Sequence, residues 1–384
     1  SSSSALSSLR GGMVPPSPEQ AAPPMAISKD NLISTLDNCL NPDQQRREQS
    51  ERVLEMLSAT QFEPLMVALM QVILDPMASI TVKQQAGVYL KNSVYCKDKE
   101  RLPQLHARWL SMMPTSRDTV KKGLLYLLEN HDDHLAQVAG VVLGKVFAAE
   151  QKDGGWDTLV DVLCAMVGSG GSSSSSSSSS STANFKTINA LHALGFVCAE
   201  LEEDYTNQDH VNKALTVIIQ SINLPEPKAV LYAVNALRNA VHLVSRNFDV
   251  PAERDMIMKM LCQAATNQDP KVRVVGFEAL ALIAERFYNK IGPYMEAIYT
   301  ITTNTLQTTP SYLLGESEEN AKNHLAPSSS SSSLSSSTLS THTDKVATQA
   351  IEFWCVLGEV EEDIIEMNRE RAASSSPSSS SSSS

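Results

Sequence analysis

An Ala-Leu pair recurs at a fixed interval of 43 residues in the middle of the chain, at positions 193–194, 236–237 and 279–280. Each copy lies among apolar residues at helical spacing, such as Val272, Ala279, Leu280, Ile283 and Phe287 around the last one. A helix pair that returns about every 40–47 residues is the signature of HEAT and armadillo-type repeats. One pair cannot bury its apolar face alone, so the period predicts a stack of helix pairs.

Two of these repeats have a proline where their second helix is expected to begin. Pro227 follows Glu226, and Pro270 follows Asp269. Proline suits the first turn because its missing N–H would be unpaired there anyway, and Asp269 can cap the helix. A first helix is predicted before each of them, over about residues 209–221 and 251–266.

Extending the period predicts seven repeats, over residues 28–58, 62–96, 115–149, 156–201, 209–244, 251–288 and 290–360. A long connection carrying Trp109 separates the second repeat from the third. Two insertions fall in the turn inside a repeat, where chain additions cost little. The predicted fold is an all-α, right-handed superhelical solenoid, with first helices on the convex face and second helices on the concave one.

Serine-rich segments interrupt and flank this array. The repeats are predicted to occupy residues 27–367, between tails at 1–26 and 368–384, with inserts near 168–181 and 310–342. Serine tracts have no apolar side chains to offset the entropy of ordering, so disorder is predicted in all four segments.

The net charge and the residue composition indicate which kinds of partner and chemistry to expect. The net charge of −12 repels phosphate backbones, so basic proteins are expected as partners and nucleic acid is not. The six cysteines form no CxxC pair and are predicted to be reduced and mostly buried. No apolar stretch is long enough to span a membrane, and neither a phosphate-binding loop nor a nucleophile elbow occurs. The sequence predicts a binding protein without catalysis, cofactor or metal.

Four segments resemble the importin-β (karyopherin-β) family: residues 85–93 (QAGVYLKNS), 193–198 (ALGFVC), 214–220 (ALTVIIQ) and 349–354 (QAIEFW). Residues 269–274 (DPKVRV) are similar to a general HEAT signature. The resemblance runs from about residue 28 to 366, in order and with the expected spacing. Two alternatives stay open: another karyopherin with different cargo, and a HEAT-repeat scaffold of a multiprotein complex without GTPase coupling.

The resemblance implies a monomeric nuclear transport receptor of the cytoplasm, the nucleus and the nuclear pore. Its implied partners are Ran-GTP, the Phe-Gly (FG) repeats of nucleoporins, and cargo or an importin-α adaptor. In that family the main adaptor surface lies on later repeats, so adaptor binding is expected mainly outside this chain.

The resemblance also assigns an FG pocket to the first helices of repeats five and six. The residues are Leu215, Thr216, Ile219, Glu253, Met256 and Ile257, with Met256 in place of an aromatic residue. Leu215 and Met256 are 41 residues apart, as are Thr216 and Ile257, so they occupy equivalent positions on adjacent helices. Spacing alone favours the alternative that these residues simply pack one repeat on the next.

The resemblance places Lys91 and Asn92, at the end of a second helix, on the Ran-facing surface. The alternative is a solvated helix end, where lysine suits the helix dipole. The run His131-Asp132-Asp133-His134 has residue types that bind metals, but capping of the next helix is the favoured interpretation. Acidic residues near 200–204 and 359–366 are predicted to be solvated faces or contacts for basic partners.

Overall fold

The computed structural model describes residues 27–130, 133–151, 155–169, 180–203, 205, 207–308 and 333–374. Helices and their connections account for all of these residues, without a β-strand. This confirms the predicted all-α class. In the described part of the chain, every helix is too short or too polar to cross a membrane.

Sixteen α-helices are seen in the described residues. In chain order they are α1 (Lys29–Asn38), α2 (Gln44–Thr60), α3 (Phe62–Leu74), α4 (Ile80–Val94), α5 (Leu102–Leu110), α6 (Pro114–Asn130), α7 (Asp133–Glu150), α8 (Thr158–Ser169), α9 (Ser180–Glu200), α10 (Gln208–Ser221), α11 (Pro227–Asn239), α12 (Ser245–Asp249), α13 (Pro251–Ala265), α14 (Pro270–Phe287), α15 (Met295–Thr308) and α16 (Ser333–Ser374). Short 3-10 segments lie at Val241–Leu243, Tyr288–Lys290 and Gly292–Tyr294.

The helices form two layers with one continuous apolar core between them. The first-helix layer consists of α1, α3, α6, α8, α10, α13 and α15. The second-helix layer consists of α2, α4, α7, α9, α11, α14 and α16, and from α4 onwards each of its members packs on the next. Among the described residues these helices form seven pairs, while α5 and α12 lie between pairs.

Capping residues explain several helix starts. Asp269 accepts a hydrogen bond from the Lys271 amide at 2.8 Å and so caps α14, as predicted. Ser79 caps α4 by accepting from the Val82 amide at 3.3 Å. The helices α11, α13 and α14 all begin with proline. These local signals fix where each helix enters the stack.

Glycine lets neighbouring second helices approach closely. A β-carbon built on Gly144 of α7 would lie 2.8 Å from Cβ of Phe196 on α9. One built on Gly195 of α9 would lie 3.3 Å from Cα of Ala236 on α11. Both distances are shorter than ordinary van der Waals contact. The spacing of α7, α9 and α11 therefore depends on the missing side chains.

The connection carrying Trp109 contains a helix, α5, which the sequence interpretation missed. Leu105 and Trp109 are one turn apart and both are buried, which gives α5 an apolar face. The Trp109 Nε1 donates to Oε1 of the buried Glu150 at 3.1 Å. The other oxygen of Glu150 accepts from Lys121 Nζ at 2.9 Å, so the carboxylate is paired inside the fold.

The last helix extends beyond the predicted bounds. Residues 333–342 of the predicted insert and 368–374 of the predicted tail are helical parts of α16. Serine costs a helix about 0.5 kcal/mol relative to alanine, so a helix anchored by packed turns can propagate through serines. Residues 168–169 and 180–181 of the other predicted insert belong to the ends of α8 and α9. The remaining residues of the predicted disordered segments, namely 1–26, 170–179, 310–332 and 375–384, lie outside the described residues.

All six cysteines are free thiols. Burial raises the pKa of Cys198 to about 12 and that of Cys164 to about 11, so both thiols stay protonated at neutral pH. These thiols therefore act as small apolar core residues.

Candidate functional site

An open groove of about 510 Å³ lies between α10 and α13, the first helices of repeats five and six. Its lining includes all six residues that the sequence comparison assigned to a pocket: Leu215, Thr216, Ile219, Glu253, Met256 and Ile257. The 41-residue offset thus places both sets on facing sides of one concavity. Its volume is within the range of about 300–1,000 Å³ typical of ligand sites.

The floor of the groove is apolar and its edge is adaptable. Leu215 is 4 % exposed and Ile257 is 2 % exposed, so both belong to the core beneath the groove. Ile219, one turn after Leu215, is half-buried. Met256 is 48 % exposed at the edge, where its flexible thioether can follow the shape of a ligand.

A polar network closes one end of the groove. Its centre is Asn247 of α12, which is only 7 % exposed. The Asn247 Nδ2 donates to Asn212 Oδ1 at 2.9 Å and to Glu253 Oε2 at 2.7 Å. Its Oδ1 accepts from Gln208 Nε2 at 3.2 Å. One amide thus joins α10, α12 and α13 and holds Glu253 in place.

A second bridge spans the opposite end. The Gln263 Nε2 donates to Asn223 Oδ1 at 3.2 Å, and the Asn223 amide lies 3.9 Å from the sulfur of Met260. Between the two bridges α10 and α13 leave the groove open. The preceding pair of first helices, α8 and α10, is instead joined by Lys213, which donates to Asp161 Oδ1 at 2.6 Å.

Glu253 is the one formally charged side chain among the described residues that line the groove. Two nearby cations, Lys213 and Arg254, have other partners. Lys213 is hydrogen-bonded to Asp161 and lowers the pKa of that carboxyl group. Arg254 donates to the Phe248 carbonyl at 2.8 Å and to the Tyr294 hydroxyl at 3.3 Å. The polar end of the groove therefore presents a negative charge.

Lys91 and Asn92 lie in the last turns of α4, away from this groove. Lys91 is half-buried and Asn92 is exposed. The Lys91 carbonyl accepts the capping hydrogen bond from the Tyr95 amide at 3.0 Å. Their position fits both interpretations, so the role in Ran binding stays a prediction.

The other polar runs have mixed positions. His131 and Asp132 lie outside the described residues, α7 begins at Asp133, and His134 is exposed. In the described part of the chain, His, Cys, Asp and Glu side chains form no group of three that could hold a metal.

Several of the acidic residues near 200–204 and 359–366 have intramolecular partners. Glu200 pairs with Lys145, and Glu203 accepts from Arg286 at 3.0 Å. Glu361 accepts from the Tyr288 hydroxyl at 2.9 Å. These carboxylates stabilise contacts between helices of the stack, although they remain at its surface.

The sequence interpretation missed the polar end of the groove. Gln208 and Asn212 share a face of α10 with Leu215 and Ile219, so helical spacing could have revealed them. Asn247 belongs to α12, in a connection between the predicted repeats. No local pattern shows that it reaches two neighbouring helices.

The chain is similar in sequence to importin subunit beta-1 of several organisms. It is 27 % identical to the Arabidopsis thaliana protein over 337 residues, which are 87 % of this chain and 34 % of that protein. It is 26 % identical to the Saccharomyces cerevisiae protein over 344 residues, or 88 % of this chain and 35 % of that protein. The chain spans about a third of the length of these relatives. No protein-family profile matches it.

Solved structures of yeast importin-β, Kap95p, share the fold. A Kap95–Nup1 complex superposes with a TM-score of 0.68 and 24 % identity, covering 92 % of this chain and 37 % of that one. A structure in which Kap95p binding induces the GTP-bound conformation in the switch loops of RanGDP gives the same score and identity, with 92 % and 36 % covered. These similarities confirm the predicted HEAT-repeat solenoid.

Proposed function

We infer that this chain belongs to the importin-β family, as a counterpart of the N-terminal portion of importin-β, and forms part of a nuclear transport receptor. The relatives and the fold support this inference over a scaffold unrelated to transport. The receptor works by binding, without catalysis, and moves between cytoplasm and nucleus through the nuclear pore.

We propose that the groove between α10 and α13 binds the phenylalanine of FG repeats. The observation that carries this proposal is the convergence of all six assigned residues on one groove. A phenyl ring suits the apolar floor of Leu215, Ile219 and Ile257, because its favourable contribution comes from apolar area removed from water. Glycine next to it lets the peptide backbone approach the helices closely. Kap95p, whose fold this chain shares, has been solved in complex with Nup1.

We propose further that the early repeats bind Ran-GTP on the second-helix layer, with Lys91 and Asn92 in the contact. The support is the solved pair of Kap95p and RanGDP, in which the switch loops adopt the GTP-bound conformation. Ran-GTP and cargo then exclude each other through differential affinity for the same flexible array. Cargo or an importin-α adaptor binds mainly through repeats other than these seven, and the receptor acts as a monomer.

Binding of an FG peptide tests the groove. The Met256→Asp variant places a charge at the edge of the groove, on a side chain that is already half-exposed, and should weaken binding at least about ten-fold. The matched control is Met56→Asp on α2, where the methionine is 57 % exposed and far along the array. Titration calorimetry with a peptide and its Phe→Ser counterpart measures the affinities. Equal affinities of the two variants would exclude the groove as the site.

Ran binding tests GTPase coupling. The chain is titrated with Ran loaded with a non-hydrolysable GTP analogue and, in parallel, with GDP. We expect the chain to bind the GTP form of Ran more tightly than the GDP form, and to lose affinity for Ran when Lys91 and Asn92 are both changed to alanine. Lys99→Ala, at an exposed position after α4, is the control. If the folded chain binds neither form, the seven repeats have no GTPase coupling and the scaffold alternative gains support.

A further inference from the structure

The carboxylate of Glu253 is fixed at the polar end of the groove. It lies in the first turn of α13, directly after the helix-starting pair Pro251 and Ala252. Its Oε2 accepts from Asn247 Nδ2 at 2.7 Å, and the residue as a whole remains exposed. The charge therefore stays at the groove, where a bound peptide would pass it, and keeps its contact with water.

No cation on the neighbouring helices neutralises this carboxylate among the ion pairs of the described residues. Lys213 faces Asp161 on α8, and Arg254 faces Phe248 and Tyr294. Lys259 lies six residues further along α13, which is about 9 Å along the helix axis. The carboxylate of Glu253 can therefore pair with a cation on a ligand that enters the groove.

We propose that Glu253 makes the groove select FG segments by the charge next to the phenylalanine. Segments with lysine or arginine within about three residues of the phenylalanine bind more tightly than neutral ones, and acidic or phosphorylated segments bind less tightly. An extended peptide advances about 3.3 Å per residue, so such side chains reach the carboxylate. This inference rests on the proposed FG-binding function and names the class of segment that the site prefers.

The size of the preference follows from the exposure of Glu253. A solvated ion pair contributes little and is screened by salt, so the effect of one charge is only a few-fold. Charge of this kind sets specificity more than affinity. Contacts with the apolar floor supply most of the binding free energy, and the charge of Glu253 sets the relative affinities of different FG segments.

The test uses two series of three peptides, each peptide with one Phe-Gly core. The three peptides of a series carry lysine, glutamine or glutamate two residues from the phenylalanine, before it in one series and after it in the other. For the unmodified chain at about 0.05 M salt, dissociation constants should rise from lysine to glutamine to glutamate, with a total spread of about five-fold. At about 0.5 M salt the spread should collapse. The glutamine peptide should bind with nearly the same affinity at both salt concentrations.

Two variants separate the local charge from the net charge of −12. Glu253→Gln keeps an oxygen acceptor for Asn247 but removes the charge, so the spread should shrink by half or more. Glu296→Gln removes the first-turn acid of α15, the next first helix, and should leave the spread unchanged. A spread that survives Glu253→Gln would overturn the proposal, because the overall charge would then cause it.

Equal binding of the three peptides by the unmodified chain would also overturn the inference, while FG binding itself would stand. If the folded chain binds none of them, the proposed FG function fails, and this inference fails with it.

Discussion

The two layers of the solenoid are packed differently where repeats five and six meet. Along α7, α9 and α11 the second helices approach so closely that a β-carbon on Gly144 would clash with Phe196, and one on Gly195 would lie 3.3 Å from Cα of Ala236. In the described residues, the side-chain hydrogen bonds that join α10 and α13 lie near the ends of a groove, through Asn247 at one end and Asn223 at the other. The same repeat therefore has one closed side and one open side.

The difference shows which residues of a repeat contribute to stability and which contribute to binding. Glycine and alanine at helix contacts close the second-helix layer and extend the core. At the open seam between α10 and α13 the groove is lined by larger apolar residues, and the extra helix α12 precedes α13. Since a groove must expose apolar area to bind a ligand, the closed layer has to supply the stability.

The largest expected effect is on the closed layer. Gly144→Leu introduces a side chain where a β-carbon already lies 2.8 Å from Phe196, so the free energy of unfolding should fall by about 3 kcal/mol. The control is Gly358→Leu on α16, where a β-carbon meets nothing within 4 Å. That variant should gain up to about 1 kcal/mol from helix propensity. Urea unfolding followed by circular dichroism measures both, and equal shifts would contradict the contrast.

A pH dependence should also arise in the closed layer. His192 packs against Phe196 and Tyr232, with ring centroids 4.9 and 4.5 Å away, and burial lowers its pKa to about 4. The unfolded chain, with a pKa of about 6.5, therefore takes up the proton first. Stability is complete above pH 6.5 and falls as pH approaches 4, by about 2 kcal/mol between pH 6 and 4.5.

The variant His192→Phe isolates this effect from other titrating groups. It keeps an aromatic contact with Tyr232 but cannot bind a proton. Its unfolding free energy should therefore change less with pH than that of the unmodified chain. If both curves are parallel between pH 6 and 4.5, His192 is not buried as described.

The open seam should respond in binding as well as in stability. Asn247→Ala removes three hydrogen bonds and should cost about 1.5 kcal/mol of stability, while weakening FG-peptide binding several-fold. The control Asn239→Ala removes a hydrogen bond of 2.9 Å to the Gly195 carbonyl in the closed layer. It should lower the unfolding midpoint without changing peptide affinity. The same pattern from both variants would mean that the layers are not independent.

The smallest effect concerns the ion pair between Arg238 of α11 and Glu278 of α14. Both side chains are about a third exposed, so their coupling should be only about 0.5 kcal/mol and should disappear in high salt. A double-mutant cycle with alanine at both positions measures it. A coupling above about 2 kcal/mol would show that charge, as well as close packing, holds the closed layer together.

The architecture could be predicted because one local signal repeats. The 43-residue period predicts alternating first and second helices, and the helices α11 and α14 begin at the predicted prolines Pro227 and Pro270. The helix α5 was missed because it is short and only Leu105 and Trp109 of its described residues are fully buried, with Leu110 partly buried beside them. The ends of α16 were misplaced because serine-rich composition indicates disorder, whereas an anchored helix can propagate through serines.

The groove was only partly predictable. Leu215, Ile219 and Ile257 carry their own signal in helical spacing and in the 41-residue offset, although spacing alone favoured simple packing. Asn247 carries none, since its contacts depend on where α12 lies between two other helices. Tertiary position, rather than local sequence, decides that one asparagine organises the polar end of the site.

The glycine contacts of the second-helix layer also have a mechanical consequence. Because the second helices are in close contact, their spacing can change little. The solenoid therefore changes its curvature mainly by changing the spacing of the first helices. The groove between α10 and α13 lies in the first-helix layer, where the spacing can change. A partner that binds the second-helix layer and changes the curvature would therefore alter the width of the groove without contacting it.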